Sequence, residues 1–175
     1  MSVSVPVLVS RFPSRLHPEY PEVRRACEEY YERRLQWLAE KTDDVTHGFY
    51  VDCGAYYCAY VYPTGELSSV KVMARFYSFW VMLDDVVDNS TDPRKVALFL
   101  DRLESAFLGE KVEGYDVVAD LLAVAERHGV ESRKMALGRF LEWIEVTRRL
   151  REIEIKQEAV TLEGYMALRQ TNAAM

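Results

Sequence analysis

The sequence predicts an all-α protein, and three observations support this fold class. Glycine and proline are scarce, at 8 and 6 of 175 residues, which leaves little turn chemistry for a β-sandwich or barrel. Hydrophobic residues make up 49% of the chain, enough for a sizeable core. Apolar side chains recur every three or four residues, which is the spacing of one helical face. The length fits a single domain over residues 1–175, and no repeat or linker divides it.

Two helices are predicted after an irregular, proline-containing leader at residues 1–20. The first spans residues 22–41. One of its faces is expected to carry four large or apolar side chains: Val23, Cys27, Tyr30 and Trp37. The second begins at residue 43 or 44 and runs toward Tyr62, where proline and glycine follow.

The third predicted helix, residues 66–89, carries the chemistry described below. The fourth has signals at both ends, with Asp92 as N-cap, Pro93 at the first helical position and Gly109 as the stop. Its apolar positions follow helical spacing: Val96, Phe99, Leu100, Leu103 and Phe107.

Three further helices are predicted in the remaining sequence. The fifth spans residues 117–128 and is closed by Gly129. We expect Ser132 to cap a long sixth helix and Thr161 to cap a seventh that runs toward the end of the chain. The apolar stripe of the sixth helix contains Phe140, Ile144, Thr147, Leu150 and Ile153.

Charged pairs are expected on the solvated face of the sixth helix. Glu145 precedes Arg149 by four residues, and Glu152 precedes Lys156 by the same interval. This order favours ion pairs along a helix surface.

Composition excludes several classes of function. A net charge of -6 and a pI near 5.2 argue against a nucleic-acid binder, which usually carries a basic patch. Three cysteines without a CxxC pair and three distant histidines make a disulfide framework or zinc site unfavourable and predict a reducing, cytoplasmic location. No uncharged run approaches the ~20 residues that cross a bilayer, and the N-terminus does not resemble a signal peptide.

An acidic cluster follows an uncharged run in the third helix. The run FYSFWVML, residues 76–83, is followed by Asp84, Asp85 and Asp88. Asp84 and Asp88 are four residues apart and share a face, where two charges ~6 Å apart repel by roughly 3 kcal/mol at an effective dielectric constant of about 20. The last turn of a helix also disfavours anions, by about 0.3–1 kcal/mol each. We therefore expect positive charge at this face.

Oxygen ligands without histidine or cysteine suit Mg²⁺, with Mn²⁺ as an alternative. Because Mg²⁺ in proteins binds one or two carboxylates together with substrate phosphates, the expected partner is a phosphorylated or diphosphorylated molecule. Four side chains of the uncharged run are candidates to line an apolar pocket beside the cluster: Phe76, Phe79, Trp80 and Leu83. Aromatic faces also stabilise cations. From the residues alone, a core helix with a solvated acidic end is an equally good interpretation.

The acidic cluster and its aromatic run resemble the aspartate-rich motif of class I terpene synthases, all-α cyclases that act on prenyl diphosphates. Residues 12–18, FPSRLHP, are similar to the proline-containing N-terminal segment of microbial members, and residues 162–173 resemble the helix with their diphosphate-sensing arginine. The resemblance spans essentially the whole chain, and the aspartate motif is its most specific part. It implies a helical bundle of the terpenoid synthase type. The implied enzyme is a carbon–oxygen lyase that ionises and cyclises a prenyl diphosphate, with farnesyl diphosphate as the expected substrate.

The resemblance also implies roles for the three aspartates. Asp84 and Asp88 become Mg²⁺ ligands and Asp84 a catalytic residue, while Asp85, in the same metal motif, orients an arginine or a bound water. The implied ionisation leaves an allylic cation in an aromatic-lined cavity.

Residues near the end of the chain receive roles from the same resemblance. Arg169 becomes the diphosphate sensor and a catalytic residue, Asn172 the linker, and Ala173 takes a position often held by glycine. Helical spacing independently places Tyr165, Arg169 and Asn172 on one face.

Two motifs of the family are missing from the sequence. These are the second metal motif, an Asn or Asp followed by Ser or Thr and then Glu, and the C-terminal Arg-Tyr pair. The sequence thus looks like the N-terminal portion of the fold, truncated after the seventh helix. We expect little or no activity from the 175 residues alone, and self-association through exposed apolar faces.

Two other functions stay open. A chain-elongating prenyltransferase uses the same metal logic but usually has paired arginines after the aspartates, where this chain has NSTD at residues 89–92. A non-catalytic helical module, either a degenerate cyclase or an interaction domain, would use the same apolar face for a partner.

Overall fold

A computed structural model describes residues 15–35, 44–90 and 92–173, and the backbone there forms seven α-helices and no strand. A short π-helical segment follows the first helix. None of the helices described is long and apolar enough to cross a bilayer. The predicted all-α class is confirmed. The helices are α1 Tyr20–Tyr30, α2 Asp44–Val61, α3 Leu67–Asn89, α4 Pro93–Phe107, α5 Asp116–Arg127, α6 Val130–Lys156 and α7 Leu162–Ala173.

Side-chain caps fix the start of three helices. Glu66 accepts hydrogen bonds from the backbone N–H groups of Ser68 and Ser69 and is the N-cap of α3. Asp92 accepts from the N–H of Arg94 at 2.9 Å, as its predicted N-cap role requires. Thr161 accepts from the N–H of Gly164 at 3.1 Å at the start of α7.

The predicted N-cap of α6, Ser132, is wrong by three residues. The helix begins at Val130, directly after Gly129, whose φ of +113° suits a residue without a side chain. Ser132 lies inside the first turn, where its hydroxyl donates to the carbonyl of His128 at 3.3 Å. The glycine that ends α5 therefore also begins α6, and a capping hydroxyl is not used.

The predicted apolar faces are largely confirmed. Val23, Cys27 and Tyr30 are buried on α1, whereas Trp37 lies outside the described residues. On α6 the stripe is graded. Ile144 and Thr147 are buried, and the other predicted positions, Phe140, Leu150 and Ile153, are partly exposed.

The outer face of α6 carries one of its two predicted ion pairs. Lys156 meets Glu152 at 3.5 Å. Arg149, predicted to pair with Glu145, instead pairs with Glu158 at 2.8 Å and with Glu152 at 3.4 Å. Glu158 lies just after the end of the helix.

Helix α3 is the centre of the fold, since α1, α2, α4 and α5 all contact it. Aromatic contacts hold its inner side. Phe79 meets Tyr115 edge-on, with ring centroids 5.3 Å apart. Phe76 packs against the rings of Phe107 and Phe140 from α4 and α6.

Gly54 sets the distance between α2 and α3. A Cβ atom at this position would lie 2.4 Å from the carbonyl oxygen of Ala74 and 2.9 Å from the backbone nitrogen of Ser78. Backbone atoms cannot move aside as a flexible side chain can, so any larger residue would push the two helices apart. The close approach needs glycine on α2 and small residues on α3.

We predict that Gly54→Ala lowers the free energy of unfolding by about 1–3 kcal/mol, the usual cost of overpacking, because the added methyl group meets α3 backbone. Gly138→Ala is the matched control, since a Cβ atom there meets nothing within 4 Å. It should stabilise the exposed helix by up to about 1 kcal/mol. Urea unfolding followed by circular dichroism measures both, and equal effects of the two substitutions would contradict the packing argument.

We also predict that the Glu66 cap of α3 contributes to the free energy of unfolding in a pH-dependent way. Hydrogen bonds from Ser68 and Ser69 lower the pKa of Glu66 to about 2, against about 4.3 in an unfolded chain. Because the folded pKa is the lower one, the stabilisation is complete above about pH 4.3 and is lost as the pH falls toward about 2. Glu66→Gln should flatten the stability profile over this window, measured by urea unfolding at several pH values. Glu110→Gln, an exposed acid between α4 and α5, is the control; a Glu66→Gln profile parallel to the wild type would refute the cap's role.

Candidate metal centre

The three aspartates lie in the last two turns of α3. Asp84 and Asp88 are exposed and Asp85 is half-buried. Among the described residues, no three His, Cys, Asp or Glu side chains converge closely enough to hold a metal ion. Asp84 and Asp88 are the two exposed carboxylates of the cluster.

Asp85 is tied to α2. The Tyr50 hydroxyl donates a hydrogen bond to its Oδ2 atom at 2.8 Å, and the Asn89 side chain donates to its backbone carbonyl at 2.9 Å. Burial, and then the bond to Asp85, raise the pKa of Tyr50, so the phenol stays a donor. One oxygen of Asp85 is thus already occupied within the chain.

The face of α3 that carries Asp84 and Asp88 continues as a half-buried apolar stripe. Residues seven positions apart on a helix differ by only about 20° in direction, so Tyr77 lies two turns below Asp84 on the same face. Trp80 and Val81 lie one turn below it, and all three are partly exposed.

The aromatic surface extends from α3 onto α2. The ring of Tyr77 stacks on that of Tyr57, with centroids 4.3 Å apart and planes 12° apart. The pKa of Tyr77 is raised mainly by burial, with a smaller contribution from the charge of Asp84. The Tyr77 hydroxyl therefore lies within electrostatic range of Asp84.

The structure separates the four side chains predicted to line a pocket. Phe79 and Leu83 are fully buried, and Phe76 is 6% exposed. These three pack in the core, because at about 100° per residue they point 80° or more away from Asp84. Trp80 alone of the four lies near the acidic face, and its ring centroid is 4.2 Å from that of Trp143.

Helical spacing would have found two of the missed residues. Val81 and Tyr77 stand three and seven positions before Asp84, which is the register of one face. Tyr57 had no such signal, because it joins the stripe only through the packing of α2 on α3.

Arg151 of α6 supplies positive charge at the end of α3. Its guanidinium donates hydrogen bonds to the carbonyl oxygens of Val87 and Ser90, the latter at 2.9 Å, and pairs with Glu154 at 2.7 Å. Carbonyls at a helix C-terminus have no partner within the helix and carry its negative dipole end, so a cation there is favourable. The positive charge expected on the face of Asp84 and Asp88 stays a prediction, because these contacts are to carbonyl oxygens and to Glu154.

The predicted diphosphate-binding residues are only partly described. The backbone of Arg169 and Asn172 belongs to α7, but their side chains lie outside the described part of the structure. Tyr165, predicted on the same face, is exposed. Helix α7 contacts α6.

Two cavities lie apart from the acidic pair. One of about 480 Å³ separates α4 from α6, and its arginines are already paired, Arg148 with Asp101 and Glu104 and Arg151 with Glu154. The other, of about 500 Å³, is apolar and lies between α3, α5 and α6 near Ser69. Ser69 is about 22 Å along the α3 axis from Asp84, at 1.5 Å per residue. Neither cavity includes an aspartate of the cluster.

We predict that Arg151→Met lowers the free energy of unfolding by about 1.5–3 kcal/mol, because it removes charged hydrogen bonds to two α3 carbonyls. Amide hydrogen exchange at the end of α3 should rise at the same time. Arg149→Met removes an equal charge from the exposed face of the same helix and should cost less than about 1 kcal/mol. Equal losses for the two variants would show that Arg151 does not anchor α3.

Comparison with solved structures gives the fold. The chain matches the crystal structure of germacradien-4-ol synthase from Streptomyces citricolor with a TM-score of 0.73 and 22% sequence identity. The match covers 95% of this chain and 57% of that chain. No protein-family model matches, and a search of curated proteins finds no significant match. At this identity the similarity shows the fold alone; the predicted all-α fold of the terpene synthase type is confirmed, and the chain covers part of it.

Proposed function

We propose that this chain carries the aspartate-rich half of a terpene cyclase site that ionises a prenyl diphosphate. One observation supports this proposal most directly. The exposed carboxylates of Asp84 and Asp88 share a face of α3 with the half-buried side chains of Tyr77, Trp80 and Val81. Such a face offers a charged end for a diphosphate and an apolar length for a prenyl chain. The structural similarity to germacradien-4-ol synthase supports the same reading.

The donor set at the charged end fits Mg²⁺. Two outward carboxylates leave most of an octahedral shell to waters and phosphate oxygens, which is how Mg²⁺ is usually held beside a phosphorylated substrate. Asp84 and Asp88 would hold the ion, and Mn²⁺ accepts the same oxygen donors. When bound, the ion supplies positive charge that stabilises a diphosphate leaving group. Asp85 is the less available carboxylate because Tyr50 already occupies one of its oxygens.

The proposed reaction begins with heterolysis of the allylic C–O bond, and the electron pair leaves with the diphosphate. Arg169 would donate hydrogen bonds to that leaving group and Asn172 would support it. The resulting cation then lies along the aromatic rings of Tyr77 and Trp80, whose faces attract positive charge. Cyclisation ends by proton loss or capture of water, and we propose a farnesyl chain as the substrate.

This chain covers 57% of the matched synthase, so the activity of the 175 residues needs separate consideration. A cyclase must enclose its cation in a water-poor cavity, yet the stripe beside Asp84 is partly exposed. We therefore propose that the 175 residues alone turn over farnesyl diphosphate weakly or not at all, and binding is the better readout.

A second candidate is a non-catalytic helical module, and the exposed side of α2 favours it. Five large apolar residues of this helix expose between 43% and 54% of their surface: Phe49, Tyr56, Tyr57, Tyr60 and Val61. An apolar patch of this kind is typical of protein interfaces or of association between copies. The two candidates differ in whether the acidic pair matters.

We predict that Asp84→Asn with Asp88→Asn abolishes Mg²⁺-dependent binding of farnesyl diphosphate, because the replacement amides carry no charge to hold the ion. Equilibrium dialysis with labelled farnesyl diphosphate, with and without Mg²⁺, measures it. Glu110→Gln with Glu113→Gln removes two exposed acids from the α4–α5 connection and is the matched control.

Circular dichroism of both double variants should match the wild type, since all four side chains are exposed. If Mg²⁺-dependent binding survives unchanged in the aspartate variant, the metal site is refuted. If the wild type shows no such binding and instead associates through α2, the interaction module is the better account.

A further inference from the structure

Tyr50 links α2 to the acidic cluster. Its hydroxyl lies 2.8 Å from Oδ2 of Asp85, and its ring is 6% exposed. The residue stands one helical turn before Gly54, where the backbones of α2 and α3 approach each other closely. The hydrogen bond therefore forms at a part of the helix pair whose separation is fixed by backbone contact.

A stack of rings holds Tyr50 in this orientation. Tyr31 lies over Tyr50 with centroids 6.2 Å apart and planes 22° apart. Tyr31 also stacks on His47, with ring centroids 4.3 Å apart. Because the Tyr50 ring is packed, its hydroxyl stays directed at Asp85.

We propose that Tyr50 is a positioning residue for the metal pair, an inference that rests on the proposed function. Asp84, Asp85 and Asp88 carry three negative charges within five residues. Without this donor, the Asp85 carboxylate would have no fixed partner on α2, and the end of α3 that carries all three aspartates would be held less firmly. Tyr50 holds it against α2, so the helix end presents Asp84 and Asp88 as the outward pair.

The structure supports positioning through Asp85 rather than direct ligation. Tyr50 is buried, whereas Asp84 and Asp88 are exposed. Removing its hydroxyl leaves the ring and its stacking in place. Partners that orient metal-site carboxylates in this way typically change metal affinity by about 10- to 100-fold when removed.

The chain offers a closely matched control. Tyr30 is also 6% exposed, and its hydroxyl donates to the carbonyl oxygen of Gly114 at 3.4 Å, in the connection between α4 and α5. Tyr30→Phe and Tyr50→Phe each remove a phenolic hydroxyl that donates a hydrogen bond. Only the second removes a bond to the acidic cluster.

The test measures the Mn²⁺ affinity of the full chain from the concentration of free Mn²⁺, which is read from the intensity of its electron paramagnetic resonance signal. Tyr50→Phe should raise the dissociation constant by about 10-fold or more. Tyr30→Phe should stay within about twofold of the wild type. Thermal unfolding of the two variants should be similar, which separates positioning from a general loss of stability.

Asp85→Asn tests whether Tyr50 acts on the metal pair through Asp85. Because Tyr50 acts through Asp85, the double variant Tyr50→Phe with Asp85→Asn should bind Mn²⁺ as Asp85→Asn alone does. An affinity of Tyr50→Phe equal to that of Tyr30→Phe, or a further loss in the double variant, overturns the inference while leaving the metal pair intact. Equal Mn²⁺ binding by the wild type and by Asp84→Asn with Asp88→Asn overturns both the inference and the proposed function.

Discussion

The approach of α2 to α3 at Gly54 is the constraint on which the rest of the site depends. A Cβ atom there would meet the backbone of α3, so glycine alone permits the observed separation. One turn before it, Tyr50 reaches Asp85, and nearly one turn after it, Tyr57 stacks on Tyr77. Both contacts require the two helices at this distance. A single backbone contact thereby organises the polar and the aromatic parts of the same face.

The charge at the end of α3 explains why side chains from two other helices converge there. Three carboxylates stand where the helix dipole is already negative. Arg151 binds the terminal carbonyls from α6, and Tyr50 donates to Asp85 from α2. These contacts hold the helix end in place and leave Asp84 and Asp88 facing outward.

The sequence predicted local features better than the arrangement of the face. The Asp92 and Thr161 caps follow from short-range chemistry and are present, whereas Ser132 was misassigned because the chain offered Gly129 first. The uncharged run before the aspartates marked a buried helix, but hydrophobicity alone cannot say which side of it is buried. Phe79 therefore belongs to the core and Tyr77 to the open stripe. The Tyr57–Tyr77 stack joins two consecutive helices and the Arg151 contacts join helices distant in sequence. Both depend on tertiary packing, so no local sequence pattern predicts them.

Asp84 and Asp88 are proposed to form a cation site at the end of the stripe of Tyr77, Trp80 and Val81. Paramagnetic broadening of amide signals by Mn²⁺ in the ¹⁵N-labelled chain tests it most directly, because the broadening falls steeply with distance from the bound ion. We expect selective loss of the signals of residues 84–88 at low Mn²⁺, with weaker loss at Tyr77 and little change in α5. Broadening spread evenly over the acidic surface, or centred on another helix, would contradict the claim.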